Sequence, residues 1–169
     1  MTKKYELIED DTTTIGQTVL HRIKSLIAFD DVTIGQLGGY IESENNLSHE
    51  GNCWIYDFGK VHDLARVSEN GKVYGNAQMH GMSQLYGNAK ITGECRIHDN
   101  VQIYDNAEIR GNTKLYNNVQ VYGNGKVNGD SSIYGDTQIY EKAVIEGKKI
   151  KYDIHRCAEK QKDEECKSS

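Results

Sequence analysis

The chain has 169 residues, a net charge of -5, 17 glycines, no proline and 37% hydrophobic residues. This length suits one domain. The negative charge argues against a nucleic-acid-binding protein, because phosphate contacts need a surplus of lysine and arginine on one face. No stretch approaches the roughly 18 apolar residues of a membrane span, and the first residues lack the apolar core of a signal peptide. We therefore predict a cytoplasmic protein that contacts neither nucleic acid nor membrane.

Residues 1–53 lack the short repeat that dominates the rest of the chain. Their threonine and isoleucine content, punctuated by glycine, favours strands, although helical spacing also fits part of the segment. Gly38 and Gly39 predict a tight turn, and Trp54 is expected to close the junction with the repeat. We predict a β-rich N-terminal cap over residues 1–53, because the open end of a repeat array needs a cover.

A strict six-residue repeat follows. An aliphatic residue or methionine occupies sixteen successive positions: Ile55, Val61, Val67, Val73, Met79, Leu85, Ile91, Ile97, Ile103, Ile109, Leu115, Val121, Val127, Ile133, Ile139 and Ile145. A small or β-branched residue lies two positions earlier in nearly every hexad, so both point inward from one short strand. Glycine, asparagine or aspartate follows, residues that tolerate the positive φ of a corner. Each hexad is therefore predicted to be a strand and a corner, and the array a solenoid.

The small-x-aliphatic-x-Gly-Asn pattern resembles the hexapeptide-repeat superfamily. The resemblance implies an all-β fold, a single-stranded left-handed parallel β-helix shaped as a triangular prism, with three hexads per coil and about five coils over residues 54–147. The string "LGGYIESENNLS…GNCWIYD" also resembles small hexapeptide-repeat proteins of phages and prophages. Residues 148–169 are charged and predict a short C-terminal cap or tail, partly disordered, whose Cys157 and Cys166 have no assigned role.

Residues 18 apart should stack, which sorts the outward side chains into columns. One face carries two uncharged columns, here named the Tyr/Gln face: Gln84, Gln102, Gln120 and Gln138 beside Tyr86, Tyr104, Tyr122 and Tyr140. These ladders either stabilise the solenoid by stacking on themselves or form an interface, where tyrosine is enriched and charge depleted. The two roles are compatible. The superfamily resemblance implies a homotrimer, so a subunit interface is the predicted use.

A second face, the His/Tyr face, carries His62, His80, His98, Tyr116 and Tyr134. Stacked rings about 4.8 Å apart are parallel, whereas zinc ligands must converge on one ion. We therefore predict packing rather than a metal or catalytic site for this column, and no metal or cofactor for the chain. Leu64 and Met82 lie at corners beside the histidines, and the N-terminal segment is expected to cover them.

Two functions remain open from the sequence. The first is a non-enzymatic interaction protein, phage or prophage encoded, that self-assembles, binds a host protein, or both, with inhibition of a bacterial defence system as a candidate role. The alternative, implied by the superfamily resemblance, is a trimeric acyltransferase with a histidine base between subunits. Against the enzyme, the hexads from Ile55 to Ile145 run without an inserted loop that could wall a site.

Overall fold

In the computed structural model, which describes residues 2–150 and the backbone of Arg156–Cys157, the chain is built almost entirely from short strands. Among the described residues, helical structure is limited to one 3₁₀ turn, Glu44–Asn46. The strands in chain order are β1 (Tyr5–Ile15), β2 (Thr18–Ser25), β3 (Leu37–Ile41), β4 (Trp54–Ile55), β5 (Lys60–Val61), β6 (Arg66–Val67), β7 (Lys72–Gly75), β8 (Gln78–Met79), β9 (Gln84–Leu85), β10 (Lys90–Gly93), β11 (Arg96–Ile97), β12 (Gln102–Ile103), β13 (Glu108–Gly111), β14 (Lys114–Leu115), β15 (Gln120–Val121), β16 (Lys126–Asn128), β17 (Ser132–Ile133), β18 (Gln138–Ile139), β19 (Val144–Glu146), β20 (Lys149–Ile150) and β21 (Arg156–Cys157).

These strands form three sheets. Two hold six parallel strands each, in the orders β4-β7-β10-β13-β16-β19 and β6-β9-β12-β15-β18-β21. The third holds nine, in the order β1-β2-β3-β5-β8-β11-β14-β17-β20. Neighbours pair with residues 18 apart, such as Lys90 with Glu108 and Gln102 with Gln120. Three hexads therefore complete one coil, and the chain is an all-β parallel solenoid of about six turns.

The coil count exceeds the predicted five because the solenoid extends beyond the strict hexads at both ends. Ile41 pairs in parallel with Val61, twenty residues later. At the other end Ile133 pairs with Ile150, seventeen residues later. A strict eighteen-residue period does not identify either extension. The spacing is two residues too long at the first end and one residue too short at the other.

The core is the predicted inward column. All sixteen repeat aliphatics are buried, the most accessible being Ile145 at 5%, and the small slot two residues earlier is buried throughout. Where that slot is polar, the hydroxyl donates to a carbonyl three residues earlier, as Thr137 does to Tyr134 at 2.9 Å. Coil-to-coil backbone bonds such as Gln84 N to Val101 O, 2.9 Å, hold the stack together. A narrow core therefore suffices to stabilise the solenoid, which explains how a chain with only 37% hydrophobic residues can fold.

The N-terminal segment prolongs the nine-stranded sheet with the antiparallel hairpin β1–β2, and β3 pairs with both the hairpin and β5. Trp54 is fully buried at the start of the repeat. The ring of Phe29 meets it edge-on at 5.5 Å, and the ring of Tyr5 does so at 6.2 Å. The loop and the first strand thus close this end around the indole. Predictions for residues 151–169 lie outside the described residues, apart from the backbone of β21.

Candidate interaction surface

The Tyr/Gln face has the predicted ladder geometry. The four tyrosine rings stack at centroid distances of 5.0, 5.0 and 5.3 Å, with interplanar angles of 10° or less. The glutamines pair in register on the neighbouring column, Gln84 with Gln102 and Gln120 with Gln138. The sheet pairs each strand with the strand 18 residues later in the sequence. The rings therefore stack in the order in which they occur along the chain. The tyrosines stay half-buried rather than covered.

The electrostatics of this face are those of a neutral surface with charged edges. The two columns themselves contain no charged side chain, and charged residues lie at the corners beside them. Desolvation in the stack raises the pKa of Tyr86, and nearby Asp105 and Glu69 add to the effect. The pKa of Tyr104 rises for the same first reason, desolvation. The rings of Tyr86 and Tyr104 therefore remain neutral phenols, which can donate hydrogen bonds from their outer ends to a bound surface.

The His/Tyr face is also a ladder. His62, His80 and His98 stack at 5.0 Å, at interplanar angles of 4° and 13°. Tyr116 meets His98 edge-on at 3.9 Å and stacks on Tyr134 at 4.8 Å. The three histidine rings are thus close to parallel, so they do not converge on a common point.

Each end of the histidine column has an acidic neighbour. His62 Nδ1 lies 3.2 Å from Asp63 Oδ1, and His98 Nδ1 lies 3.1 Å from Asp99 Oδ1. Backbone N–H groups one coil later lower the pKa of both carboxyls: Gly81 donates to Asp63 and Asn117 to Asp99. The pKa of His80 is lowered, first by desolvation and then by the flanking histidines. The column therefore combines a neutral central imidazole with two ionised carboxylates.

The corner between the two faces is apolar and open. Leu64 is 74% exposed and Met82 is 53% exposed. The expectation that the N-terminal segment covers these residues is wrong. The hairpin β1–β2 extends a sheet at the start of the stack instead of folding along its side. The corner therefore exposes two large apolar side chains between two flat faces.

The remaining face of the solenoid, formed by the sheet that contains β4 and β7, binds the N-terminal loop. Lys72 Nζ donates to Asp30 and, at 2.9 Å, to Asp31, while Tyr56 donates to Asp31 at 2.5 Å. Burial lowers the pKa of Lys72, but these hydrogen bonds outweigh it and the net shift is upward. A polar cavity of about 300 Å³ adjoins these hydrogen bonds and is lined by Asp30, Asn52, Asn70, Lys72, Asn88 and Lys90. It contains no histidine or cysteine, the groups that nucleophilic or base catalysis most often uses.

Sequence reasoning missed three buried or anchoring groups. Lys4 is 1% exposed and donates to Cys53 O at 2.9 Å and to the Cys53 thiol at 3.3 Å. Lys72 donates hydrogen bonds to Asp30 and Asp31 of the N-terminal loop. Glu42 lies beside His62 and Asp63. No sequence signal placed these contacts, because all three involve the irregular N-terminal segment, whose register departs from the repeat.

Comparisons with known proteins agree with the solenoid and give little more. No family model matches the chain. The chain is similar to an uncharacterised acetyltransferase of Escherichia coli (strain K12), YdcK, with 35% identity over 81 residues, 43% of this chain and 25% of that protein. The chain thus spans about a quarter of the length of this relative. The repeat, the coil geometry and this relative fit the hexapeptide-repeat superfamily.

Within residues 2–150, no helix is long enough and apolar enough to cross a membrane.

Proposed function

We propose that the chain is a non-enzymatic interaction protein that assembles with copies of itself through the Tyr/Gln face. The observation that carries the proposal is the stack of four parallel tyrosines beside four glutamines, with no charge between them. Interface cores are depleted in charge and enriched in tyrosine. Leu64 and Met82 extend this surface with exposed apolar groups at the adjoining corner. A trimer is the assembly that the superfamily resemblance favours.

The mass of the protein in solution tests self-assembly. The chain weighs 19.1 kDa, and light scattering after size exclusion should give three times that mass for the wild type. The double variant Tyr104→Arg/Tyr122→Arg should give the mass of one chain, because each interface would have to bury unpaired guanidinium groups.

The matched control carries the same charges elsewhere. Thr92→Arg/Asn128→Arg places two arginines in the equivalent hexad positions of the sheet that contains β10 and β16, and should leave the assembly intact. Circular dichroism checks that all variants are folded. A monomeric wild type contradicts the proposal, as does an assembly that survives Tyr104→Arg/Tyr122→Arg.

The His/Tyr face is then left for a second protein. A host protein is the partner that the phage-like resemblance favours, with a bacterial defence component as its candidate class. An immobilised trimer tests this: a partner captured from a bacterial lysate should be lost with Tyr116→Arg/Tyr134→Arg while the trimer mass is unchanged. A partner that binds this variant as well as the wild type contradicts the assignment of the face.

Acyl transfer is the second candidate, because a specific pair of observations favours it. The relative described above is called an acetyltransferase, and His98 lies against Asp99 in the arrangement of a base and its orienting carboxylate. On this reading the protein binds acetyl-CoA between subunits. Calorimetry with acetyl-CoA tests it: binding should be lost both in His98→Ala and in Tyr104→Arg/Tyr122→Arg. A trimer that binds no acetyl-CoA leaves the interaction function standing alone.

A further inference from the structure

We propose that Glu42, His62 and Asp63 form a binding site for a divalent first-row transition cation such as Zn²⁺. One ligand atom from each of the three residues lies within 4.8 Å of the others. Two carboxylates and an imidazole are a ligand set that zinc accepts, with a fourth position left for water. The site is separate from the Tyr/Gln face and independent of the assembly proposed above.

The state of His62 distinguishes this cluster from an ordinary group of surface acids. The residue is 6% exposed. Its Nδ1 atom is buried and forms no hydrogen bond with any of the described residues, although it lies 3.2 Å from Asp63 Oδ1. A buried nitrogen without a hydrogen bond is costly. A cation bound between the imidazole and the carboxylates would satisfy it.

Both carboxylates are held in place with an oxygen to spare. Asp63 Oδ2 accepts the Gly81 N–H at 3.1 Å, which leaves Oδ1 toward His62. Glu42 Oε2 accepts the Asp63 N–H at 2.7 Å. The His62 ring is fixed by its stacking on His80. Such outer contacts orient metal ligands before the ion arrives. Ligands of a tetrahedral zinc ion lie roughly 3.4 Å apart at bond lengths of about 2.0–2.1 Å. The ligand atoms, which lie within 4.8 Å of one another, would therefore have to move together by up to about 1.4 Å.

The site depends on the irregular first coil. Ile41 pairs with Val61, which puts Glu42 in the slot directly before His62 in the stack. The same slot before His98 belongs to His80, because Ile97 pairs with Met79. Asp99 otherwise matches Asp63: both have a φ near 55–58°, both accept a backbone N–H from the next coil, and both lie beside a histidine. The His98 site thus supplies a control that lacks the glutamate.

Zinc titration of the full chain, free of any tag and stripped with chelator, tests the site by calorimetry. We expect the wild type to bind Zn²⁺, and Glu42→Gln and Asp63→Asn each to weaken that binding by about tenfold or more or to remove one equivalent. Asp99→Asn should bind like the wild type. All three are isosteric changes at carboxylates that remain compatible with the fold, and thermal unfolding verifies this. Mg²⁺ serves as a negative probe, since it prefers a shell of oxygen ligands.

Three outcomes overturn the proposal. The first is a wild type that binds no Zn²⁺. The second is equal zinc binding by the wild type, Glu42→Gln and Asp63→Asn, which would place the metal elsewhere in the chain. The third is a loss in Asp63→Asn but not in Glu42→Gln, which removes the glutamate from the ligand set.

Discussion

At the scale of single residues, the corners decide whether coils can stack. Among residues 2–150, eight non-glycine residues have positive φ, and seven of them are acidic. All except Asp30, which lies in the N-terminal loop, share their slots with glycines from neighbouring coils. The acids contribute more than conformational tolerance. Glu69 accepts the Gly87 N–H at 2.8 Å, and Asp105 accepts the Gly123 N–H at 3.0 Å. An acid in one coil therefore caps an N–H of the next, where a glycine leaves room for it. The carboxylates of Asp57, Asp63, Glu69, Asp99 and Asp105 therefore have a structural role at the corners.

Gly87→Ala should destabilise the fold strongly. Its φ is +65°, and an added Cβ would lie 2.7 Å from the backbone nitrogen of Asp105. The left-handed conformation and the clash together cost about 2–5 kcal/mol of unfolding free energy. Gly16→Ala is the matched control, because φ is +58° there but nothing lies within 4 Å, and it should cost only about 1–2 kcal/mol. Urea denaturation measures both. Equal losses would show that crowding between coils does not matter.

Cys53 and Cys95 should resist alkylation in the native protein. Both thiols are buried. Burial raises the pKa of Cys53 and raises that of Cys95 to about 11, so at neutral pH neither is accessible or present as the reactive thiolate. Peptide mass spectrometry after iodoacetamide treatment should find both unmodified in buffer and both modified in denaturant. Rapid native labelling of Cys95 would contradict its place in the core.

At the scale of elements, the N-terminal segment is fastened to the solenoid by a few polar contacts over an aromatic cluster. Lys72, on β7, reaches the two aspartates of the loop before β3. Tyr5, on β1, donates to Leu47 O at 2.6 Å and flanks Trp54. The hairpin is therefore held at the start of the stack by its sheet pairing and by these contacts with the first two coils.

Asp31→Asn should weaken this attachment in a pH-dependent way. Hydrogen bonds first from Lys72 and then from Tyr56 hold the pKa of Asp31 below 3.8. The folded-state pKa is depressed, so the contribution to stability is full well above 3.8 and is lost as pH falls through the folded value. The variant should lose about 1 kcal/mol at neutral pH, since Asp31 is partly solvated, and the difference from wild type should shrink in acid.

Chemical denaturation between neutral pH and pH 3 follows the Asp31→Asn difference. Glu9→Gln, an exposed carboxylate on β1, is the control and should change stability little at any pH. A deficit in Asp31→Asn that stays constant down to the lowest pH would mean that the carboxylate charge contributes nothing.

At the scale of the whole molecule, stability is distributed along one axis. Each coil touches only its neighbours, so a coil in the middle is supported on two sides and a terminal coil on one. The core is narrow, and each inward side chain packs on the corresponding side chains of the coils above and below. A cavity made at one inward position therefore affects the packing of both neighbouring coils. Local stability should therefore fall toward the ends of the stack.

Hydrogen exchange should show this gradient, with the slowest amides in β10 to β13 and faster exchange toward β19. Ile109→Ala removes a fully buried side chain of β13 and should cost about 2–5 kcal/mol, with protection lost first in the coils on either side. Arg110→Ala, the outward neighbour on the same strand, is the control and should leave the profile unchanged. Uniform loss of protection along the whole chain would indicate a single cooperative unit instead.

The sequence by itself determined the solenoid, its eighteen-residue coil, the inward column and the composition of the Tyr/Gln and His/Tyr faces, because a strict period assigns every residue in it a place without reference to distant contacts. The tertiary structure alone decided what the period does not determine: the extension of the solenoid at both ends, the burial of Lys4, the contacts of Lys72 with Asp30 and Asp31, the exposed corner at Leu64 and Met82, and Glu42 beside His62. Those contacts join irregular segments to the repeat, and their register depends on pairing between strands that no local pattern encodes.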